Sequence, residues 1–146
     1  ISVCLSKGLG CPVGSVLVGS EEMIKKAIRV RKVLGGGMRQ AGFLAAAATY
    51  ALDNQLERLA EDHLKAKEIG VLLTSLPFIK KVESIETNIV IFEIDESFLT
   101  SEEFTNTLLQ KDIHIISMGQ GKLRMVTHLD YTNEMHDRLL SILPTL

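Results

Sequence analysis

One short stretch near the start constrains the chain most: Ser6-Lys7-Gly8-Leu9-Gly10, continuing Cys11-Pro12-Val13-Gly14-Ser15. The apolar run Val3-Cys4-Leu5 leads into it and Ser15-Val16-Leu17-Val18 leads out. The pattern predicts a short buried strand over residues 1–6, a glycine-rich loop and a second strand. Pro12 holds Cys11 extended or in a turn. Lysine is rarely buried unless it is paired or used, and neighbouring glycines let backbone come close to a bound group. Lys7 is therefore either a snorkelling side chain at a strand end or an amine that forms a Schiff base with a carbonyl. Gly8, Gly10 and Gly14 do not make a dinucleotide fingerprint, because their spacing is one residue too long and a strand follows.

Downstream, helical and extended periods alternate. Ser20 caps a helix running to about Leu34, with Glu21 and Glu22 at its positive end and Ile24, Ala27 and Ile28 on one face. Gly35-Gly36-Gly37 ends it, where ordinary capping needs one glycine. Met38-Arg39-Gln40-Ala41-Gly42 then opens an alanine-rich segment, Ala45 to Ala48, expected as a buried helix. Lys32 and Arg39 bracket the glycines. They are either surface cations beside a hinge or two arms of an anion site.

From Asp53 to about Ser75 the pattern predicts one long helix stopped by Pro77, with Leu56, Leu59, His63 and Leu64 inward and Glu61 paired to Lys65. His63 reads as a packed histidine, since no second ligand stands at metal spacing. The remainder reads as a small α/β unit. It has a central strand at 88–94, a Thr100–Glu103 capping box opening a helix with Phe104 and Leu108 inward, and a strand at 113–116. A turn at 118–121, a strand at 122–128 and a last helix from Thr132, with Met135, Leu139 and Leu143 inward, complete it. A domain boundary is placed near residue 55. Arg124 shares one strand face with Val126 and His128, while Leu123, Met125 and Thr127 share the other. An arginine there either closes an internal ion pair or grips a carboxylate bidentately. His128-x-Asp130 is too sparse for a metal, and no metal site is expected.

Charge and composition limit the partners. Sixteen Lys and Arg against 18 Asp and Glu give a formal net charge of −2, which offers no electrostatic case for nucleic acid or an acidic membrane. No apolar run approaches the roughly 20 residues that span a bilayer. Cys4 and Cys11 read as reduced thiols, which suits a cytoplasmic setting. Ile1 already lies inside an apolar, strand-like run, so the chain reads as the C-terminal part of a longer one.

Three segments together go beyond local chemistry: 2–10 with Pro12-Val13-Gly14-Ser15; Arg31-Lys32-Val33-Leu34-Gly35-Gly36-Gly37-Met38-Arg39-Gln40-Ala41-Gly42; and Leu123-Arg124-Met125-Val126-Thr127-His128. They resemble the threonine aldolases, densely over the first 55 residues and more thinly to the C-terminus. Cys11 stands where that family more usually has alanine. The resemblance implies an α/β fold of the aspartate-aminotransferase-like, fold type I pyridoxal-phosphate class. Residues 1–55 would be the C-terminal part of the large cofactor-binding domain and 56–146 the small C-terminal α/β domain.

The resemblance further implies pyridoxal 5'-phosphate held by Lys7 as a Schiff base. Lys32 and Arg39 would reach a neighbouring subunit's site near the cofactor phosphate, and Arg124 would bind the amino-acid substrate's α-carboxylate. The implied reaction is retro-aldol cleavage of threonine or allo-threonine to glycine and acetaldehyde, in a tetramer of paired dimers. Partners for the pyridine nitrogen, the ring face and the β-hydroxyl have no candidate in these residues. The chain alone is accordingly expected to be inactive. The alternatives are another fold type I enzyme, serine hydroxymethyltransferase-like or β-eliminating, and a non-catalytic oligomerisation or binding fragment.

Overall fold

In the computed structural model, which describes residues 1–146, the chain forms two units, Ile1–Leu59 and Ala60–Leu146, each with its own core.

In the first unit, β1 (Ser2–Cys4) pairs antiparallel with β2 (Ser15–Leu17), Val3 opposite Val16. Both strands are exposed throughout, so the expected buried strand is not buried. The apolar side chain that goes inside is Leu5, one residue past β1. Ser20 caps α1 (Glu21–Val33) by accepting from the Met23 N–H, and Glu21 and Glu22 pair with Lys25 and Lys26 one turn on. No residue of α1 is buried; Ile24 and Ala27 are half-buried and Ile28 is exposed.

α1 closes with two reversed bonds, Gly36 N–H to Arg31 O at 2.7 Å and Gly35 N–H to Lys32 O at 3.1 Å, with Gly35 at φ 85°. This is the Schellman closure, which needs a left-handed residue there. α2 (Gly42–Asn54) buries only Ala48 and Ala51, beside Leu5, Leu9 and Cys11. Phe43 is 85% exposed. The alanine-rich helix is thus covered along one stripe and not all round.

The long helix expected from Asp53 to Ser75 begins later, at Leu59, after a turn over 55–58. α2 stops at Asn54, the Gln55 N–H reaches the Ala51 carbonyl, and the Leu59 N–H turns back to Leu56. α3 (Leu59–Thr74) then restarts with its phase reset, burying Asp62, Ala66, Ile69, Gly70 and Leu73. Leu56 and Leu64, expected inward, are 56% and 59% exposed. A side chain on Gly70 would collide with Ile85, which accounts for a glycine inside a helix. Lys65 donates to the Tyr131 carbonyl at 2.8 Å in place of the expected pairing with Glu61.

The second unit is an antiparallel sheet of β3 (Ile79–Val82), β4 (Ile89–Ile94), β5 (Ile116–Gly119) and β6 (Lys122–Val126), in the order β3-β4-β6-β5. β4 is central, as expected, and its Val90, Phe92 and Ile94 alternate inward with Leu123 and Met125 of β6. α4 (Ser101–Leu109) opens on the full capping box. The Thr100 hydroxyl accepts from the Glu103 N–H at 3.1 Å, and the Glu103 carboxylate accepts from the Thr100 N–H at 3.0 Å. Phe104 and Leu108 are fully buried, and the Phe104 ring stands edge-on to Phe92.

Thr132 caps α5 (Asn133–Ile142), which buries His136 and Leu139, with Leu143 following in a short 3-10 turn. Met135, expected inward, is 53% exposed because His136 takes the inward position. β3 was not anticipated. The strand expected at 113–116 begins at Ile116 and runs to Gly119, so the turn shrinks to Gln120-Gly121. Gly119, Gln120 and Gly121 carry φ of 81°, 52° and 73° across it.

Candidate functional site

In the first unit the Lys7 loop is tied down by its own backbone. The Leu5 N–H reaches Gly14 O at 3.0 Å, the Cys11 N–H reaches Leu5 O at 3.1 Å, and the Gly10 N–H reaches Lys7 O at 2.8 Å. Leu5, Leu9 and Cys11 are buried anchors, while Lys7 between them is exposed and its amine makes no hydrogen bond or ion pair. The loop is also held from fifty residues away. Arg58 Nη2 donates to the Gly8 carbonyl at 2.8 Å, and a Cβ on Gly8 would stand 2.7 Å from Leu59 Cδ2. An unpaired amine on a fixed loop is suited to attack a carbonyl carbon.

Lys32 and Arg39 stand on either side of the three glycines, both exposed and without a carboxylate partner. Lys32 folds back along Gly37, its Nζ 2.6 Å from where a Cβ would be, so a side chain at 37 would displace the amine. Gln40 follows Arg39 at φ 52°, and α2 begins at Gly42 with no side-chain cap. Two cations without a carboxylate partner suit an anion.

In the second unit Arg124 stands opposite Ile91 of β4 and Ile116 of β5. It is half-buried, and its Nε is shielded from solvent with no hydrogen-bond partner. No carboxylate of residues 1–146 pairs with it. Arg124 lines a cavity of about 360 Å³ with Thr127, His128, Tyr131 and Met135, which gives the exposed Met135 its place. Arg138, on the same wall, is engaged with the Lys111 carbonyl at 2.7 Å. Tyr131 is fixed: its hydroxyl lies 3.2 Å from His136 Nδ1, and His136 Nε2 lies 2.7 Å from Glu68 Oε2. Burial, helped by the charge of Asp137, pushes the Tyr131 hydroxyl well above the usual tyrosine range, so it keeps its proton.

Lys7, Lys32 and Arg39 belong to the first unit and Arg124 to the second. Arg58 and Tyr131 escaped the sequence reading, since their partners lie far away in the chain or, for His136, on a later helix. No cluster of three or more His, Cys, Asp or Glu is placed to hold a metal. No helix is long and apolar enough to cross a membrane.

The sequence model of the family described as beta-eliminating lyase matches residues 1–97. Low-specificity L-threonine aldolase 1 of Arabidopsis thaliana is 45% identical over 134 residues, which is 90% of this chain and 37% of that protein. The low specificity L-threonine aldolase of Escherichia coli K12 is 42% identical over 134 residues, 91% of this chain and 38% of that one. Among solved structures, a transaminase from directed evolution by ancestral reconstruction superposes with a TM-score of 0.60 at 20% identity, over 99% of this chain and 36% of its own. The chain thus spans somewhat over a third of the length of the curated relatives it matches.

Proposed function

Because this chain belongs to the beta-eliminating lyase family and shares the aminotransferase-like fold, we propose that the whole protein is a pyridoxal-phosphate-dependent threonine aldolase. It cleaves threonine or allo-threonine to glycine and acetaldehyde. The observation that carries this reading is Arg124, whose guanidinium lines a cavity with no protein acceptor for its buried Nε. Such a group is complementary to a carboxylate brought from outside, and its planar fork binds one with two parallel bonds.

The other residues fit the cofactor in chemical kind. Lys7 offers a free amine to the aldehyde, and Lys32 and Arg39 offer two cations to a phosphate. Residues 1–55 then belong to the large domain and 56–146 to the small one. Lys32 and Arg39 serve the site of a neighbouring subunit in a cytoplasmic tetramer of paired dimers. When bound, pyridoxal phosphate supplies the electron sink that accepts the pair released at Cα. Arg124, by fixing the carboxylate, sets which bond at Cα is aligned for cleavage. Fixing that rotation is an orientational contribution, of the kind that lowers a barrier by several kcal/mol, at most about 7–11 for a fully oriented pair.

The family's description favours β-elimination as a second reading, since the same Lys7 and Arg124 would serve it. The products separate the two. The whole protein, given pyridoxal phosphate and threonine or allo-threonine, is expected to release acetaldehyde and glycine in equal amounts. Formation of an oxo acid and ammonia from hydroxy amino acids, with neither substrate giving acetaldehyde, sinks the aldolase reading.

A further inference from the structure

We propose that Arg58 and Leu59 are positioning residues for Lys7: by clamping Gly8 they fix where the Lys7 amine stands when it meets a carbonyl. The proposal rests on the reading that Lys7 captures the cofactor's aldehyde. Three observations carry it. Arg58 reaches back fifty residues to donate to the Gly8 carbonyl at 2.8 Å, in a partly buried position. Leu59 Cδ2 fills the space a Gly8 Cβ would need, at 2.7 Å, and Gly8 has no positive φ, so a Cβ there would have to push the Leu59 methyl aside. Leu59 is itself packed on the cluster of Leu5, Leu9, Cys11, Ala48 and Ala51, so the clamp has a fixed base.

From within the loop, Gly10 N–H holds the Lys7 carbonyl and the Leu5 and Cys11 N–H groups close its base, while the Gly8 carbonyl is held from outside by Arg58. Arg58 and Leu59 act on the tip itself, one residue from the nucleophile. Capture would replace the aldehyde's C=O bond by a C=N bond to Lys7 Nζ, the oxygen leaving as water with the two protons of the neutral amine. The amine must approach that carbon along a narrow range of directions, and a displacement of about 1 Å can cost on the order of a hundredfold. A loosened tip leaves the amine present but misplaced.

The test uses the whole protein with pyridoxal phosphate as probe. Borohydride reduction, which delivers hydride to the captured carbon while solvent supplies the proton, makes the adduct permanent. Mass spectrometry then locates and quantifies it, and circular dichroism follows folding. Arg58→Met is expected to keep its fold and to lower the rate of trapping at Lys7 by about tenfold or more, with Arg58→Lys recovering part of that loss. Gly8→Ala is expected to slow trapping likewise, and adding Leu59→Ala to restore it by removing the obstructing methyl; such a double-mutant cycle isolates the contact. If Arg58→Met unfolds, the Gly8 and Leu59 pair decides alone. Wild-type trapping rates in both Arg58→Met and Gly8→Ala, or a double variant no better than Gly8→Ala, overturn the clamp. Absence of any adduct on Lys7 in the wild-type protein overturns the cofactor reading as well, and is distinguishable from failure of the clamp.

Discussion

Arg124 stands in β6 between two buried neighbours, Leu123 and Met125, and its Nε meets neither water nor an acceptor. A group so placed costs the apo chain stability, because a shielded donor without a partner forfeits its hydration. Arg124→Met is therefore expected to leave the thermal midpoint of the chain unchanged or raised, while in the whole protein it should abolish carboxylate recognition. Arg124→Lys should lower kcat/KM for threonine by roughly ten- to a hundredfold, about 1.5–3 kcal/mol for a charge-assisted bond, because the point charge cannot reproduce the fork. A drop in midpoint with normal kinetics would return Arg124 to a structural role. For Lys32→Ala and Arg39→Ala the expected outcome is weaker retention of pyridoxal phosphate by the oligomer, read by dialysis and absorbance; unchanged retention removes them from the phosphate. The sequence alone left Arg124 divided between ion pair and carboxylate grip. The arrangement of β4, β5 and β6 sets Ile91 and Ile116 opposite it and no carboxylate beside it, which the strand pattern by itself could not tell.

At the scale of elements, the capping box of α4 was legible because both of its halves are local. Its carboxylate also gives a pH dependence. Hydrogen bonds from the Thr100 hydroxyl and N–H hold the Glu103 carboxyl below its usual value of 4.5. A depressed folded pKa stabilises the fold above the unfolded value, and that contribution is lost as pH falls through the folded one. Resistance to urea should thus fall below about pH 4.5 in the wild type, with Glu103→Gln lacking that part of the dependence. Thr100→Ala should cost about 1 kcal/mol at neutral pH. The break between α2 and α3 was not legible for the opposite reason. Gln55-Leu56-Glu57-Arg58 are all good helix formers, and what stops the helix is tertiary: Arg58 turned to Gly8 and Leu59 packed against the loop. Contacts of that kind override propensity. β3 escaped because Ile79-Lys80-Lys81-Val82 is a short edge carrying lysines, the usual guard of an edge and a weak strand signal. The inward turn of His136, and with it the exposure of Met135, depends on Glu68 and Tyr131, which no helical period can foresee.

Over the whole chain, the two units differ in how much they bury. The second gathers α3, α4, α5 and the sheet around Phe92, Phe104, Leu108, Leu123 and Leu143, all fully buried. The first has a core of five residues. Hydrogen exchange on this chain should accordingly find the slowest amides in β4, β6 and α4, and fast exchange throughout α1, which buries nothing. Phe104→Ala should cost about 3–5 kcal/mol and unfold the second unit preferentially. The α/β character and the capped helices follow from local patterns, whereas the roles of Lys7, Lys32, Arg39 and Arg124 do not: each had an ordinary explanation when read by itself. Their order along the chain, as a resemblance, linked them. The most direct test of that link is acetaldehyde release from threonine and allo-threonine by the whole protein, with and without Lys7→Ala. Acetaldehyde and glycine in equal amounts are expected from the wild type, and background levels from a folded Lys7→Ala variant; undiminished release from that variant, or none from the wild type with either substrate, sinks the aldolase reading or the role of Lys7 in it.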